Sequence, residues 1–413
     1  MPGLYVHIPF CERKCIYCSF YSLENHEGRA RYLAALPREI AARAEMLERE
    51  GVALPTFTTI FLGGGTPSLL SPEEIGGILD TLRSHYTVAA DAEVTMECNP
   101  GALAEEWLPG YRDRGINRLS FGVQSFHDDE LQFLSRIHTA REAEAGVERA
   151  CSVFENVSLD LIFALPLQTL ERWRYNLERA IALGTSHLSA YSLIFEGGTR
   201  LEALRRAGAV QPAPEDREAD MYTLTMERMA QAGFAQYEVS NYARNGRRCQ
   251  HNLGYWERQT SLAFGPSAHG FIRESRRRYA NAGNLEAWLT AVESGRAPEV
   301  TNETVGTEAE LEEIVFLGLR SLGIDRSEIR RVAGSDLSDL LPDRVARLQA
   351  EGFAVLTDER LRLTARGYSY ADRLALEIIH ELEQTLLGRA PSATTHVISS
   401  SNPSDSIIHE TAR

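Results

Sequence analysis

Cysteine is scarce in this chain, which has six in 413 residues. Three of the six, Cys11, Cys15 and Cys18, lie close together near the N-terminus. So few cysteines, so unevenly distributed, exclude a disulfide scaffold and favour a reduced, cytoplasmic protein. The concentration of thiols in one short segment then needs a chemical explanation of its own.

Three other features are also missing. No apolar run approaches the roughly 20 residues that cross a bilayer, so no transmembrane segment is predicted and only peripheral membrane contact stays open. The first residues, MPGLYVHIPF, lack the basic and apolar regions of a secretory signal. Basic residues number 43 against 58 acidic ones, and the net charge of −15 argues against a nucleic-acid partner held by bulk charge.

Short β-branched and aromatic runs alternate with helical patterns through the first half of the chain. Strands are predicted at 4–8, 57–62, 93–97, 117–121, 158–163 and 187–193. Helices are predicted between them, at 28–50, 71–85, 101–114, 139–153 and 170–183. These repeats predict an α/β fold with a parallel sheet and helices outside, either an open doubly wound sheet or a partial barrel. In a barrel, the chemistry lies on the loops that follow the strands.

The second half of the chain has a different pattern. A helix is predicted at 215–232, followed by a connecting region at 236–300 that lacks a regular pattern. From residue 308, helices followed by a hairpin predict a winged-helix-like C-terminal module. Because this module is not strongly basic, packing or partner contact is favoured over DNA binding. The predicted division is 1–235, 236–300 and 301–387, with a Ser- and Thr-rich tail, 388–413, that is predicted to be disordered.

The three clustered cysteines form the pattern CxxxCxxC directly after the first predicted strand. Soft thiolate ligands at this spacing on one loop converge on one metal centre. An iron–sulfur cluster with three protein thiolates leaves one iron open to a small ligand, whereas zinc usually takes a fourth protein ligand. His26 is available for that role but is distant in sequence. The spacing favours the iron–sulfur cluster, with zinc and unliganded thiols as the alternatives.

Further informative residues follow the next predicted strands. The glycines at 63–65 allow close approach to the backbone, although such a loop is also typical of a tight turn. Glu97 stands at a strand end, where a carboxylate suits a cationic ligand or merely caps the next helix. Asp160 lies inside the apolar strand LDLIF, which favours a site role because an unpaired charge there is costly.

These segments together resemble the radical S-adenosylmethionine superfamily, whose signature is a CxxxCxxC loop after the first strand of a partial (β/α)6 barrel. The resemblance implies a 4Fe–4S cluster with Cys11, Cys15 and Cys18 as its metal ligands. It also implies S-adenosyl-L-methionine, whose amino and carboxylate groups chelate the open iron. In the superfamily, one electron from the cluster cleaves the sulfonium to methionine and a 5′-deoxyadenosyl radical.

Within the superfamily, the chain resembles the coproporphyrinogen-dehydrogenase-like branch, which contains the HemN and HemW proteins. The shared segments, in chain order, are YVHIPFC, GGGTPS, ECNPG, RLSFGVQSF, RIHTA, DLIFALPLQT and the C-terminal module. The resemblance implies that Tyr5, Gly64 and Glu97 contact the cluster-bound S-adenosylmethionine. Contacts around a second such molecule are implied for Gly65, Thr66, Gln124, Arg136, Asp160 and the backbone beside Tyr17.

Two departures within the branch are informative. Its coproporphyrinogen-oxidising members have a further cysteine two residues after the third, where this chain has Phe20. They also have an N-terminal extension before YVHIP, which begins here at Tyr5. Both departures resemble the HemW heme chaperones.

The segment HNLGYW is a third feature that resembles HemW. It places His251 near Tyr255 and Trp256, and imidazole with aromatic neighbours suits heme. A single histidine of this kind is also typical of a structural hydrogen-bonding residue, so both interpretations stay open. Cys249 is interpreted as incidental, and His7 as a support for the cluster loop or a substrate pocket.

The resemblance implies a cytoplasmic heme chaperone that binds a 4Fe–4S cluster and S-adenosyl-L-methionine and transfers heme to apo-hemoproteins. It would act as a monomer or a heme-dependent dimer. One alternative is an oxygen-independent coproporphyrinogen III oxidase, which would use the adenosyl radical to abstract a propionate hydrogen. The remaining alternatives are a radical enzyme acting on another substrate and a structural zinc protein.

Overall fold

Six parallel strands form the centre of the fold. The structure is a computed structural model that describes residues 1–387, so the predicted disordered tail, 388–413, lies outside the described residues. The parallel strands are β1 (Gly3–Ile8), β2 (Phe57–Gly64), β3 (Val88–Cys98), β4 (Arg118–Gln124), β5 (Val157–Phe163) and β6 (His187–Ser192). They lie side by side in chain order, which confirms the predicted α/β fold with a parallel sheet.

Six shorter strands extend this sheet at both edges. They are β7 (Ala235–Gln236), β8 (Asn241–Ala243), β9 (Ser261–Phe264), β10 (His269–Ile272), β11 (Arg277–Asn281) and β12 (Glu299–Thr304). Strand β9 pairs in parallel with β1, and β8 pairs antiparallel with β6, so the sheet stays open instead of closing into a barrel. These strands lie largely in the connecting region 236–300, which lacks a regular sequence pattern because strands of two to six residues are too short to show a two-residue period.

Helices connect the strands, and the longer ones pack in the main hydrophobic core on the outer face of the sheet. They are α1 (Arg29–Arg49), α2 (Pro72–His85), α3 (Leu108–Asp113), α4 (Asp128–Phe133), α5 (Ala140–Val153), α6 (Leu170–Ala182), α7 (Arg200–Arg206), α8 (Glu215–Gln231), α9 (Gln250–Trp256) and α10 (Leu285–Glu293). Ser71 and Thr139 begin α2 and α5 with capping boxes, each completed by a glutamate three residues later. The helix predicted at 101–114 is reduced to a 3-10 turn, Glu105–Trp107, followed by α3.

Side-chain alternation along the strands separates the core from the site. Leu4, Val6 and Ile8 of β1 are fully buried and pack with Tyr32 and Leu36 of α1 in the main hydrophobic core. Because successive strand residues point to opposite faces, the odd-numbered residues of β1 face the inner surface of the curved sheet. Polar side chains from the other central strands share that inner surface, and the functional candidates are among them.

The C-terminal module has its own hydrophobic core, which includes Val315, Leu319 and Ile378. Its helices are α11 (Thr307–Leu319), α12 (Arg326–Ala333), α13 (Leu337–Leu340), α14 (Pro342–Ala350), α15 (Ala365–Tyr368) and α16 (Ala371–Leu387). Its three-stranded sheet consists of β13 (Ile324–Asp325), β14 (Ala354–Leu356) and β15 (Arg360–Leu363). Helices with a β14–β15 hairpin match the predicted winged-helix-like pattern. Across residues 1–387, none of the helices is both long and apolar enough to span a bilayer.

Candidate functional site

The loop after β1 carries the three clustered cysteines. Its two ends are joined by backbone hydrogen bonds, from Cys11 N to Leu23 O at 2.9 Å and from Leu23 N to Pro9 O at 2.7 Å. Within it, the amide of Cys18 donates to Cys15 O at 3.2 Å and makes a tight turn. All three cysteines line one pocket at the carboxyl ends of the parallel strands. Elements distant in sequence therefore meet the thiols at a single place.

The arrangement of the thiols fits an iron–sulfur cluster better than a single zinc ion. Zn–S bonds of about 2.3 Å would bring sulfurs to roughly 3.8 Å from one another. Within residues 1–387, the three sulfurs do not all lie within 4.8 Å of one another. His26, considered as a fourth zinc ligand, has its Nε2 3.1 Å from the carbonyl oxygen of Cys11. A wider group with three soft thiolate ligands, such as a 4Fe–4S cluster, suits this donor set.

The surroundings of these thiols favour the protonated form, which a bound metal would convert to the thiolate. Burial raises the pKa of Cys11, and burial raises the pKa of Cys18 to about 12, with the neighbouring Cys15 adding to the shift. Without a metal, these groups therefore stay protonated at neutral pH. Iron binding would release their protons, because a bound cation stabilises the thiolate.

The glycine-rich loop after β2 packs directly on the cysteine loop. The amides of Gly65 and Thr66 donate to Ile8 O and Phe10 O, both at 2.8 Å. A Cβ atom at Gly65 would stand 2.7 Å from these two oxygens, so a larger residue would push the loops apart. The hydroxyl of Thr66 donates to Cys11 Sγ at 3.4 Å. The predicted close approach of backbone at this loop is therefore present, and it fixes one cysteine.

Two partly buried carboxyl groups face the same pocket. Glu97, at the end of β3, accepts a hydrogen bond from the Gly64 amide at 3.1 Å, and Asp160 of β5 accepts from the Ser120 hydroxyl at 3.3 Å. Burial raises the pKa of Glu97 to about 8, with repulsion from Asp160 adding to it, and burial raises the pKa of Asp160 to about 6. Two such acids are costly to ionise unless a cation arrives. The ammonium and sulfonium groups of S-adenosylmethionine are cations of the kind this pocket fits.

Gln124 and Arg136 complete the ring around the pocket. Gln124 ends β4 at a register shift and has a φ of 70°, a conformation that few non-glycine residues adopt. The guanidinium of Arg136 donates to Cys15 Sγ at 3.2 Å and to Gly122 O at 2.5 Å. Arg136 therefore links the cysteine loop to the central strand β4.

Tyr5 and His7 lie on the inner face of β1. The hydroxyl of Tyr5 is 3.1 Å from His7 Nδ1, and His7 Nε2 is 2.8 Å from Tyr21 O. His7 thus supports the far end of the cysteine loop, as the sequence analysis favoured. Tyr5 is not among the described residues that line the pocket, so its contact with S-adenosylmethionine stays a prediction.

His251, like Tyr5, is a predicted site residue that is not among the described residues lining the pocket. It sits on α9 against the amino-terminal halves of β1 and β2, only 3% exposed. Its Nδ1 is 2.7 Å from the Thr59 hydroxyl and its Nε2 is 2.9 Å from the Tyr255 hydroxyl. Burial lowers its pKa to about 3. Both ring nitrogens are hydrogen-bonded, which favours a structural role for His251 over a role as a heme ligand. To ligate heme iron, the imidazole would have to break one of these hydrogen bonds and move.

Comparison with known proteins places the chain in a family. The model of the radical SAM superfamily matches residues 5–180, and that of the HemN C-terminal domain matches residues 307–370. The chain is 36% identical to "Heme chaperone HemW" of Bacillus subtilis over 372 residues, which cover 89% of this chain and 96% of that protein.

The chain belongs to the HemW family of radical SAM proteins. This HemW-family chain is also 34% identical over 383 residues to the Mycobacterium tuberculosis protein of the same name, with 91% and 94% coverage. It is 36% identical over 404 residues to the bovine "Radical S-adenosyl methionine domain-containing protein 1, mitochondrial", with 95% and 90% coverage. Among solved structures, Escherichia coli coproporphyrinogen III oxidase, HemN, aligns with a TM-score of 0.76 over 91% of this chain and 89% of that one; at 23% identity it supports the fold alone.

The HemW-family chain also has site residues that sequence reasoning missed. Ser120 and Tyr191 line the pocket from β4 and β6. Ser120 is four residues before Gln124 on the same strand, and Tyr191 is two residues after the β6 residue that pairs with Asp160. That spacing, which keeps side chains on one face, is the signal that could have found them. Arg118, two residues before Ser120, is a buried cation that the sequence analysis also passed over.

Proposed function

We propose that this chain is a heme chaperone that binds a 4Fe–4S cluster and S-adenosyl-L-methionine and transfers heme to apo-hemoproteins in the cytoplasm. The observation that carries the proposal is the 36% identity across 96% of the Bacillus subtilis heme chaperone. That similarity includes both the part that forms the pocket and the C-terminal module. The division into 1–235, 236–300 and 301–387 and the heme-dependent dimer belong to the same proposal.

The pocket residues have distinct tasks in this proposal. Cys11, Cys15 and Cys18 hold the cluster, which supplies an open iron for the methionine end of S-adenosylmethionine and an electron when one is available. Glu97 receives the ammonium group beside the Gly64 backbone, because a carboxyl group whose pKa is raised by burial gains from a neighbouring cation, and the Gly64 amide at 3.1 Å holds that carboxyl group in position. Thr66 and Arg136 hold Cys11 and Cys15 in place.

Phe20 favours the chaperone over the coproporphyrinogen oxidase. It lines the pocket at the position where the resemblance expects a further cysteine in the oxidising enzymes. The likeness to the HemN structure supports the fold and carries no argument for that reaction. The oxidase and the other radical enzymes are therefore outcomes that the experiment must be able to reveal.

The test is an anaerobic hemin titration of cluster-reconstituted protein, followed by Soret absorbance. We expect a saturable spectral change, and then transfer of the bound heme to apomyoglobin, used as a probe acceptor. Size-exclusion chromatography with light scattering, with and without hemin, checks the dimer. Absence of saturable hemin binding would contradict the proposal.

The same preparation, incubated with coproporphyrinogen III, S-adenosylmethionine and dithionite, tests the enzymatic alternative. We expect no protoporphyrinogen IX. Product formed together with 5′-deoxyadenosine would establish the oxidase instead. Formation of 5′-deoxyadenosine without porphyrin turnover would point to another radical reaction.

A further inference from the structure

The pocket at the cysteines continues sideways into a second groove. Tyr191, Ser192 and Ile194, at and just after the end of β6, line both. The groove is therefore connected to the site already described, and a ligand bound in it would lie next to the pocket of the cluster.

The groove lies between the sheet edge and the C-terminal module. One wall comes from α8 through Glu218, Ala219 and Tyr222, and the other comes from the segment 368–373 at the start of α16. The two walls are joined at the base, where the amide of Val239 donates to Arg320 O at 2.8 Å. The groove therefore exists only because the module is seated against the sheet.

Six aromatic side chains line the groove. They are Phe163, Tyr191, Tyr222, Trp256, Tyr368 and Tyr370. Tyr222 stacks on Phe163 with ring centres 6.3 Å apart. Tyr370 is 46% exposed and Ile194 is 37% exposed, although large apolar side chains are normally covered. A flat, apolar ligand would cover both.

The two cations that line the groove, Arg320 and Arg373, each form an ion pair with one exposed member. Arg320 donates to Asp372 at 2.7 and 2.8 Å, and Arg373, whose side chain is 75% exposed, donates to Glu377 at 2.8 Å. Glu218 accepts a hydrogen bond from Ser192 at 2.5 Å, and Glu215 is a further carboxylate of the rim. A ligand carboxylate can displace Asp372 and Glu377 from the two guanidinium groups, because Asp372 is 59% exposed and Arg373 is 75% exposed, and ion pairs with an exposed member are weak.

The HNLGYW segment also reaches this groove. Trp256, the last residue of α9, is part of its wall, while His251 anchors the same helix to β2 through Thr59. The segment thus has an anchoring end and a lining end. This division explains how the segment can influence heme without His251 being the iron ligand.

We propose that this groove is the seat of heme: a planar porphyrin packs against the aromatic walls, with its propionates toward Arg320 and Arg373. The inference rests on the proposed function, because it names where that function's ligand binds. Stacking of large aromatic surfaces supplies the affinity, and the guanidinium groups orient the macrocycle.

The experiment fills the groove without touching the core. Ala219 is an exposed residue of α8 that lines the groove, and Asp220 is its exposed neighbour outside the lining. Ala219→Trp should weaken hemin binding at least tenfold in the Soret titration, because the indole occupies the space of the porphyrin. Asp220→Trp, with the same bulk one residue along the helix, should bind like the wild type. Tyr370→Ala should weaken binding by a smaller factor.

The outcomes separate the location from the function. Saturable hemin binding by the wild type that is unchanged in Ala219→Trp and Tyr370→Ala would overturn the groove and leave the chaperone proposal standing. If wild-type protein shows no saturable binding, both are overturned. Weakening by Asp220→Trp equal to that by Ala219→Trp would also overturn the groove, since the effect would then be general to α8. Iron content, measured in every variant, should stay at the wild-type level.

Discussion

The two ends of the curved sheet both contain buried polar groups, and they differ in how those groups are satisfied. At the amino ends of the strands, His251 is bonded at both ring nitrogens. His187 is likewise placed between Ser158 and Tyr237, with both distances 2.7 Å. Glu93 accepts from the amides of Gln250 and His251 and so caps α9. These three side chains are satisfied by partners within the protein.

The carboxyl ends of the strands form the opposite case. The thiols of Cys11 and Cys18 and the carboxyl groups of Glu97 and Asp160 line one pocket, and all four have a raised pKa. A raised pKa in an acid records that its charged form lacks compensation. Polar groups that are paired stabilise the fold, whereas those left costly to ionise are suited to a ligand that brings positive charge.

The sharpest test of this difference removes one cysteine. Cys15→Ala should abolish the iron–sulfur cluster after anaerobic reconstitution, because two thiolates do not replace three. Iron content and the visible absorbance near 400 nm measure the loss. Cys151→Ser, at an exposed cysteine outside the pocket, is the matched control and should keep the cluster. Full iron content in Cys15→Ala would refute the assignment of the site.

A substitution at the amino ends of the strands should lower the stability of the fold and leave the iron content unchanged. His251→Ala leaves the buried hydroxyl of Thr59 without its imidazole partner and opens a cavity, so we expect the free energy of unfolding to fall by about 2–5 kcal/mol. Denaturant unfolding measures it, with His85→Ala at an exposed helix end as control. Iron content per folded molecule should not change. Loss of the cluster in folded His251→Ala would break the distinction between the two ends.

At the carboxyl ends of the strands, the ionisation of Glu97 should make the free energy of unfolding depend on pH. Because the pKa of Glu97 in the folded protein is about 8, above its unfolded value, the stability linked to it is present at low pH and is lost as the pH rises toward 8. Glu97→Gln removes that loss. The free energy of unfolding of the ligand-free variant, relative to that of the wild type, should therefore rise by up to about 1.4 kcal/mol per pH unit between pH 5 and 8.

Urea unfolding of both proteins at several pH values measures this gain. The same variant should bind S-adenosylmethionine more weakly, as measured by calorimetry on the reconstituted protein. Parallel pH profiles of the two proteins would show that Glu97 is not the costly group.

The smallest effect is expected at the bridge between the cysteine loop and β4. Arg136→Lys keeps the charge but loses the planar fork that reaches Cys15 and Gly122 together. We expect a loss of about 1 kcal/mol in stability and faster release of iron to a chelator. Arg141→Lys, on the surface of α5, is the control. Iron release at the wild-type rate would show that the bridge does not hold the loop.

Much of the site could be predicted because strand order and pocket position are linked. The six parallel strands were predicted to within a few residues, except that β3 begins earlier, at Val88. Parallel strands bring their carboxyl ends to one edge, so Cys11, Gly64, Glu97 and Asp160 meet although they are far apart in the chain. The short strands from 235 to 304 escaped prediction because their stability comes from pairing with neighbours.

By itself, the sequence determined the chemistry available: three thiols after the first strand, a glycine loop after the second, and acids after the third and within the fifth. The tertiary structure decided which residues share a space. HNLGYW divides between a buried anchor, His251, and a groove residue, Trp256, because a helix turns successive side chains to different faces. No local pattern shows what those faces meet, since their neighbours come from β2 and from the C-terminal module.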